Sequence, residues 1–142
     1  MDEVWPRGQP DEGARATRSR QVTSEDIALF TQISGDRNPL HYDEELAAAS
    51  RFGEIVVQGG VTTAILNALV AEDLPGPGSV FLQLDLSFLA PVRPGDTITG
   101  EGTITSVRAD KPICRMDLSV VRDDGTRVVE GSAVTYTVPL PR

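Results

Sequence analysis

From Val80 to Val138 nearly the whole chain reads as strand, and a sheet of that length must cover its apolar face. Val80, Leu82, Leu84, Leu86 and Phe88 alternate with Gln83, Asp85 and Ser87, which predicts one strand with one apolar face. Pro91 and Pro94 end or redirect it, and strands are predicted over 97–107 and 112–122. The Asp124-Gly125 pair then turns the chain into a last strand over 127–138. Upstream, Gly59-Gly60 opens a run, Val61 to Val70, that is apolar around most of a helical circumference and predicts a helix to about Glu72. That helix is the natural cover for the sheet, which gives an α+β class with an antiparallel sheet. Composition also permits a partly open barrel or another α+β arrangement.

Asn67 is the polar exception on this helix. If enclosed, its amide needs partners, and bracing a neighbouring loop would supply them. Further upstream, Thr23 or Ser24 can cap a helix carrying Ile27, Phe30 and Ile33, with Glu25 and Asp26 at its positive end and Gly35 at its exit. A second short helix is predicted from Asp43, with Leu46, Ala47 and Ala49 as its apolar surface. Between the two lies Gly35-Asp36-Arg37-Asn38-Pro39-Leu40-His41. Pro39 fixes its own φ and restricts Asn38, so a bent loop rather than continuous helix carries Asp36 and His41. A carboxylate and the chain's one imidazole, five residues apart, form a pair able to handle a water molecule. The same residues also make ordinary turns, and an isolated histidine is often structural.

At 142 residues the chain is expected to be one domain. Residues 1–18 are rich in Gly, Pro and charge and predict a mobile N-terminal extension, with Trp5 able to dock on the domain or a partner; the domain is expected over 19–142. Cys114, the only cysteine, sits among alternating apolar residues and is expected to pack rather than react. No early stretch has the apolar length of a secretion leader and no run is long enough to span a bilayer, so a soluble, cytoplasmic protein is expected. A formal charge of −8, with Lys111 the only lysine among 13 basic residues, argues against nucleic acid or an anionic membrane as partner. One histidine and one cysteine offer no metal-ligand cluster.

GDRNPLH, FGEIVVQGG, LPGPGSVFLQLDLSFLAPVRPGD and ADKPICRMDLSV together resemble, in the family order, the MaoC-like branch of hot dog proteins, especially single-domain (R)-specific enoyl-CoA hydratases. The resemblance spans residues 19–139. It implies a hot dog fold, a curved antiparallel sheet wrapped around a long central helix, paired in a homodimer or higher oligomer with a substrate tunnel shaped partly by the neighbouring subunit. It implies a hydro-lyase of fatty acid metabolism that reversibly hydrates trans-2-enoyl-CoA to (3R)-3-hydroxyacyl-CoA. CoA is then the acyl carrier of the substrate, and no cofactor is needed.

Carried onto this sequence, the resemblance makes Asp36 and His41 the catalytic pair, Asn38 the organiser of their loop and Gly59 the backbone donor to the thioester oxygen. Two departures stand out. The usual His-Gly before the helix is Gln58-Gly59, followed by Gly60 in place of a common methionine, and a helix serine near the aspartate is replaced by Asn67. Gln58 offers an amide in place of an imidazole, so Gln58 and Asn67 are taken as site-organising residues. Arg93, Arg108 and Arg115 are weak candidates for contacting CoA phosphates and read first as ordinary surface charges, and Leu66 reads as core before tunnel lining. The competing readings are a dehydratase or hydratase acting on acyl-carrier-protein thioesters, a thioesterase, and a non-catalytic acyl-thioester binding module.

Overall fold

The computed structural model describes residues 4–141. The elements run β1 (Arg15–Gln21), α1 (Ser24–Ser34), a single 3₁₀ turn (Pro39–His41), α2 (Glu44–Ala49), α3 (Gly59–Ala68), β2 (Ser79–Phe88), β3 (Thr97–Val107), β4 (Ile113–Arg122) and β5 (Arg127–Thr137). A π-type turn over Leu69–Asp73 extends α3 about as far as its sequence predicts. The strands form one antiparallel sheet in the order β1-β3-β4-β5-β2.

The core lies between α3 and the sheet. Val61, Ile65, Leu66, Leu69 and Val70 are buried against Ile98, Ile104, Met116, Leu118 and Val120. Glycine on β3 lets the helix come close: a Cβ on Gly100 would lie 3.1 Å from Ile65 and 3.3 Å from Leu66. Leu66 is therefore core on the sheet side. Cys114 is also buried, and desolvation raises its thiol pKa against an opposing hydrogen bond involving Thr135. No helix among the described residues is long and apolar enough to cross a membrane.

Three features depart from the sequence expectation. Residues 15–18, assigned to a mobile extension, form the start of β1, which pairs with β3 from Arg15↔Thr103 to Gln21↔Thr97. Trp5 and Ala14 also pack against the core, while residues 1–3 of the expected extension lie outside the described residues. The strand RATRSRQ has no apolar alternation because it is held through its backbone at a sheet edge.

Second, β2 does not keep one apolar face. Its register with β5 shifts between Phe81 and Gln83, so Leu82 is an extra residue, and such a bulge reverses the side-chain alternation. Phe81 before it and Leu86 after it pack on the core, while Val80 and Leu82 are exposed. Third, α3 is not enclosed all round. Ala64 and Asn67 lie on an exposed face, so Asn67 meets solvent and braces no loop.

Candidate active site

The loop between α1 and α2 is built by its own side chains. Asp26, in the first turn of α1, accepts from the Thr23 amide at 2.8 Å, and Gly35 ends the helix at φ 79° with its amide on the Thr31 carbonyl. The Asn38 amide then donates to Asp36 Oδ1 at 3.0 Å, while Asn38 Oδ1 accepts from the Leu40 amide at 3.1 Å. Pro39 occupies the first turn of the 3₁₀ segment, where its missing amide costs nothing. Asn38 thus fixes the carboxylate with its backbone and the turn bearing His41 with its side chain. Asp43 caps α2 by accepting from the Leu46 amide, which closes the loop on its far side.

These bonds leave Asp36 Oδ2 facing His41. The distance to Nε2 is 3.7 Å, longer than a direct hydrogen bond and short enough for one water to reach both atoms. His41 Nδ1 lies 2.7 Å from the Val56 carbonyl oxygen. A carbonyl only accepts, so Nδ1 carries a proton, and in the neutral ring Nε2 keeps its lone pair toward Asp36. The His41 side chain is 10% exposed and that of Asp36 is 37%, so the pair opens outward on its carboxylate side.

Val56 leads within three residues to the α3 N-terminus, where the Gly59 and Gly60 amides have no acceptor among the described residues. Unpaired amides at a helix start favour negative charge. Phe88 lies against Gly59, with ring carbon Cε2 2.8 Å from where a Cβ would sit. The Phe30 ring covers Gly60, two of its carbons falling 2.1 Å from the corresponding Cβ position.

Gln58, 1% exposed, donates from Nε2 to the Ile27 carbonyl at 3.0 Å and to Thr31 Oγ1 at 3.2 Å. It ties α3 to α1 rather than pointing an acid or base at the pair. The structure therefore brings Asp36, Asn38 and His41 together, places Gly59 and Gln58 at the adjoining helix start, and leaves Asn67 outside. Of the three arginines, Arg93 pairs with Glu54 and Arg108 with Asp110, and both Arg108 and Arg115 line a surface cavity with Leu82 and Gln83. Thr31, Tyr42, Phe30 and Phe88 went unremarked as site residues, since a threonine or phenylalanine within a regular element carries no sequence mark of what it touches.

Residues 7–125 match the family model described as a MaoC like domain. The chain belongs to the MaoC-like family. Among its MaoC-like relatives, an (R)-specific enoyl-CoA hydratase of Aeromonas caviae is 36% identical over 122 residues, covering 86% of this chain and 91% of the relative. An (R)-specific enoyl-CoA hydratase of Rhodospirillum rubrum is 35% identical over 130 residues, covering 90% and 88%. The solved structure of an unliganded R-hydratase from Pseudomonas aeruginosa superimposes with a TM-score of 0.87 at 32% identity, covering 96% of this chain and 88% of the other. The antiparallel sheet with its central helix is accordingly the α+β, hot dog-like fold of MaoC-like proteins.

Proposed function

We propose that this chain is an (R)-specific enoyl-CoA hydratase, adding water reversibly across the trans-2 double bond of an enoyl-CoA to give a (3R)-3-hydroxyacyl-CoA. The observation that carries the reading is the Asp36 Oδ2 to His41 Nε2 separation of 3.7 Å, with Nδ1 committed to Val56. Hydration needs a group that takes a proton from water while the oxygen attacks C3, and Nε2 is free to do so. Asp36 orients the water and takes part in returning a proton to C2. One water supplies both the hydroxyl on C3 and the hydrogen on C2, so the pair ends each turnover as it began.

Attack at C3 pushes charge onto the thioester oxygen. The unpaired Gly59 amide, at the positive end of α3, is the donor assigned to it, and such donors act by meeting charge that grows in the transition state. Gln58 holds that helix start against α1, and Asn38 holds the carboxylate. CoA carries the acyl group throughout, entering as part of the substrate and leaving as part of the product with its thioester bond intact.

The assembly we infer is a homodimer in which each sheet wraps around its own α3. Its support is β2, an edge strand on which Val80, Leu82, Leu84 and Phe88 remain exposed in the single chain. Light scattering should give twice the 15.2 kDa chain mass, and a monomer would end this part of the reading. A cytoplasmic location is consistent with Cys114 as a lone buried thiol, and cell fractionation tests it.

The deciding experiment incubates the protein with a short trans-2-enoyl-CoA and analyses the products. The expected product is the (3R)-3-hydroxyacyl-CoA; free thiol without hydroxyacyl product would identify a thioesterase, and binding without turnover a non-catalytic module. Offering the same acyl group on an acyl carrier protein separates the two carriers. A strong preference for the protein-bound form would overturn the CoA assignment.

A further inference from the structure

One buried hydroxyl touches the three chain segments that hold Asp36, His41 and Gly59. Thr31 Oγ1 lies 2.8 Å from the Asp36 carbonyl oxygen, 3.2 Å from Gln58 Nε2 and in short contact with the Tyr42 hydroxyl. Tyr42 follows His41 directly and Gln58 precedes Gly59 directly. The Ile27 carbonyl, 3.0 Å from Thr31 Oγ1, is a second possible acceptor, but it already takes the Gln58 Nε2 bond. The shorter distance assigns the single Thr31 proton to the Asp36 carbonyl, and with that assignment the Thr31 oxygen accepts from both Gln58 and Tyr42.

We propose that Thr31 is a positioning residue of this site, its hydroxyl setting the placement of Asp36, His41 and the Gly59 amide relative to one another. The inference rests on the hydratase reading. It has a second support in Gln58, whose Oε1 is buried without a hydrogen-bond partner among the described residues. An orphaned buried acceptor costs stability, so an apolar side chain would serve simple packing better. What Gln58 provides in return is the Nε2 link to Thr31 and Ile27. Rigid bonds between groups that must hold a water and an oxyanion in one geometry act on turnover more than on substrate affinity.

The test compares Thr31→Val, which keeps shape and removes the hydroxyl, with Thr31→Ser, which keeps the hydroxyl, and with Tyr42→Phe at a half-exposed ring. Each is assayed with a short trans-2-enoyl-CoA well below its unfolding midpoint. Thr31→Val should lower kcat about 10- to 100-fold with KM within about threefold, the size expected when reacting groups are slightly misplaced. Thr31→Ser should recover most of that loss, and Tyr42→Phe should lower kcat about 3- to 10-fold, as for one lost hydrogen bond. A folded Thr31→Val with unaltered kcat overturns the proposal, as does an equal loss in Thr31→Ser, which would assign the effect to the methyl group. If Thr31→Val fails to fold, unaltered kcat in Tyr42→Phe overturns it instead. Absence of hydration by the unsubstituted protein would be a different failure, that of the hydratase reading itself.

Discussion

His41 donates its Nδ1 proton to the Val56 carbonyl at 2.7 Å, and this bond decides which ring nitrogen meets Asp36. With the tautomer fixed by Val56, Nε2 is left facing Asp36 with its lone pair, as the proposed hydration requires of a base. His41→Ala and Asp36→Asn should each lower kcat by about 10²–10⁴-fold, the usual contribution of a positioned acid or base. On the proposal that the two groups act on one water, the double variant should fall no further than the worse single one. Steady-state kinetics, with circular dichroism to show that each variant is folded, checks both statements.

Asn38 does two jobs with different atoms, which separates them experimentally. Its amide on Asp36 Oδ1 survives side-chain truncation, whereas its Oδ1 on the Leu40 amide does not. Asn38→Ala should therefore cost about 0.5–2 kcal/mol of stability, as for a lost cap. Asn38→Asp retains the acceptor and should restore most of it. Urea unfolding of the three proteins measures the difference; equal stability of the Ala and Asp variants would show that the Oδ1 bond does not hold the turn.

The strands from β3 onward were legible because alternating stretches such as Ile113 to Val120 outweigh the register shifts within them, and Gly125, at φ 87°, marks the turn. The bent loop was legible too, since Pro39 and the flanking caps are local chemistry. β1 was not, because its seven residues owe their conformation to backbone bonds from a strand some eighty positions away. The bulge at Leu82 leaves the apolar alternation intact in the sequence and reverses its meaning in space. Asn67 was misplaced by reading an apolar run as evidence of enclosure, when Ala64 and Asn67 share an open face. The family pattern pointed to Asp36, His41 and Gly59, but Thr31 emerges only when α1, the loop and α3 meet.

Phe30 and Gly60 are coupled by shape. A Cβ at position 60 would fall 2.1 Å from two ring carbons, so the half-buried ring must move if Gly60 becomes alanine. Helix propensity would favour Gly60→Ala by about 1 kcal/mol, against about 1–3 kcal/mol for overpacking. The clash is expected to win, giving a net loss of stability. Adding Phe30→Ala should make Gly60→Ala harmless or stabilising. A double-mutant cycle in urea reads the coupling directly, and additive effects would show that the ring swings aside freely.

Asp26 should make part of the fold's stability depend on pH. Burial raises its pKa, but hydrogen bonds from the Thr23 amide at 2.8 Å and from Arg20 at 2.8 and 2.9 Å outweigh it and hold the carboxyl below the usual range. A folded-state value below the unfolded one means that this stabilisation is full above the unfolded carboxylate value, near pH 4, and is lost as pH falls through the folded value. Asp26→Asn should therefore unfold at a lower temperature than the unsubstituted protein at pH 7, by the equivalent of about 1–2 kcal/mol for charge-assisted bonds. The gap should begin to narrow below about pH 4, where the unfolded chain's carboxyl takes up a proton, and should close once the pH has fallen through the lower native value. Thermal unfolding of both proteins across that range decides the point: a gap that stays constant with pH would trace the loss to packing at the start of α1 rather than to the charge on Asp26.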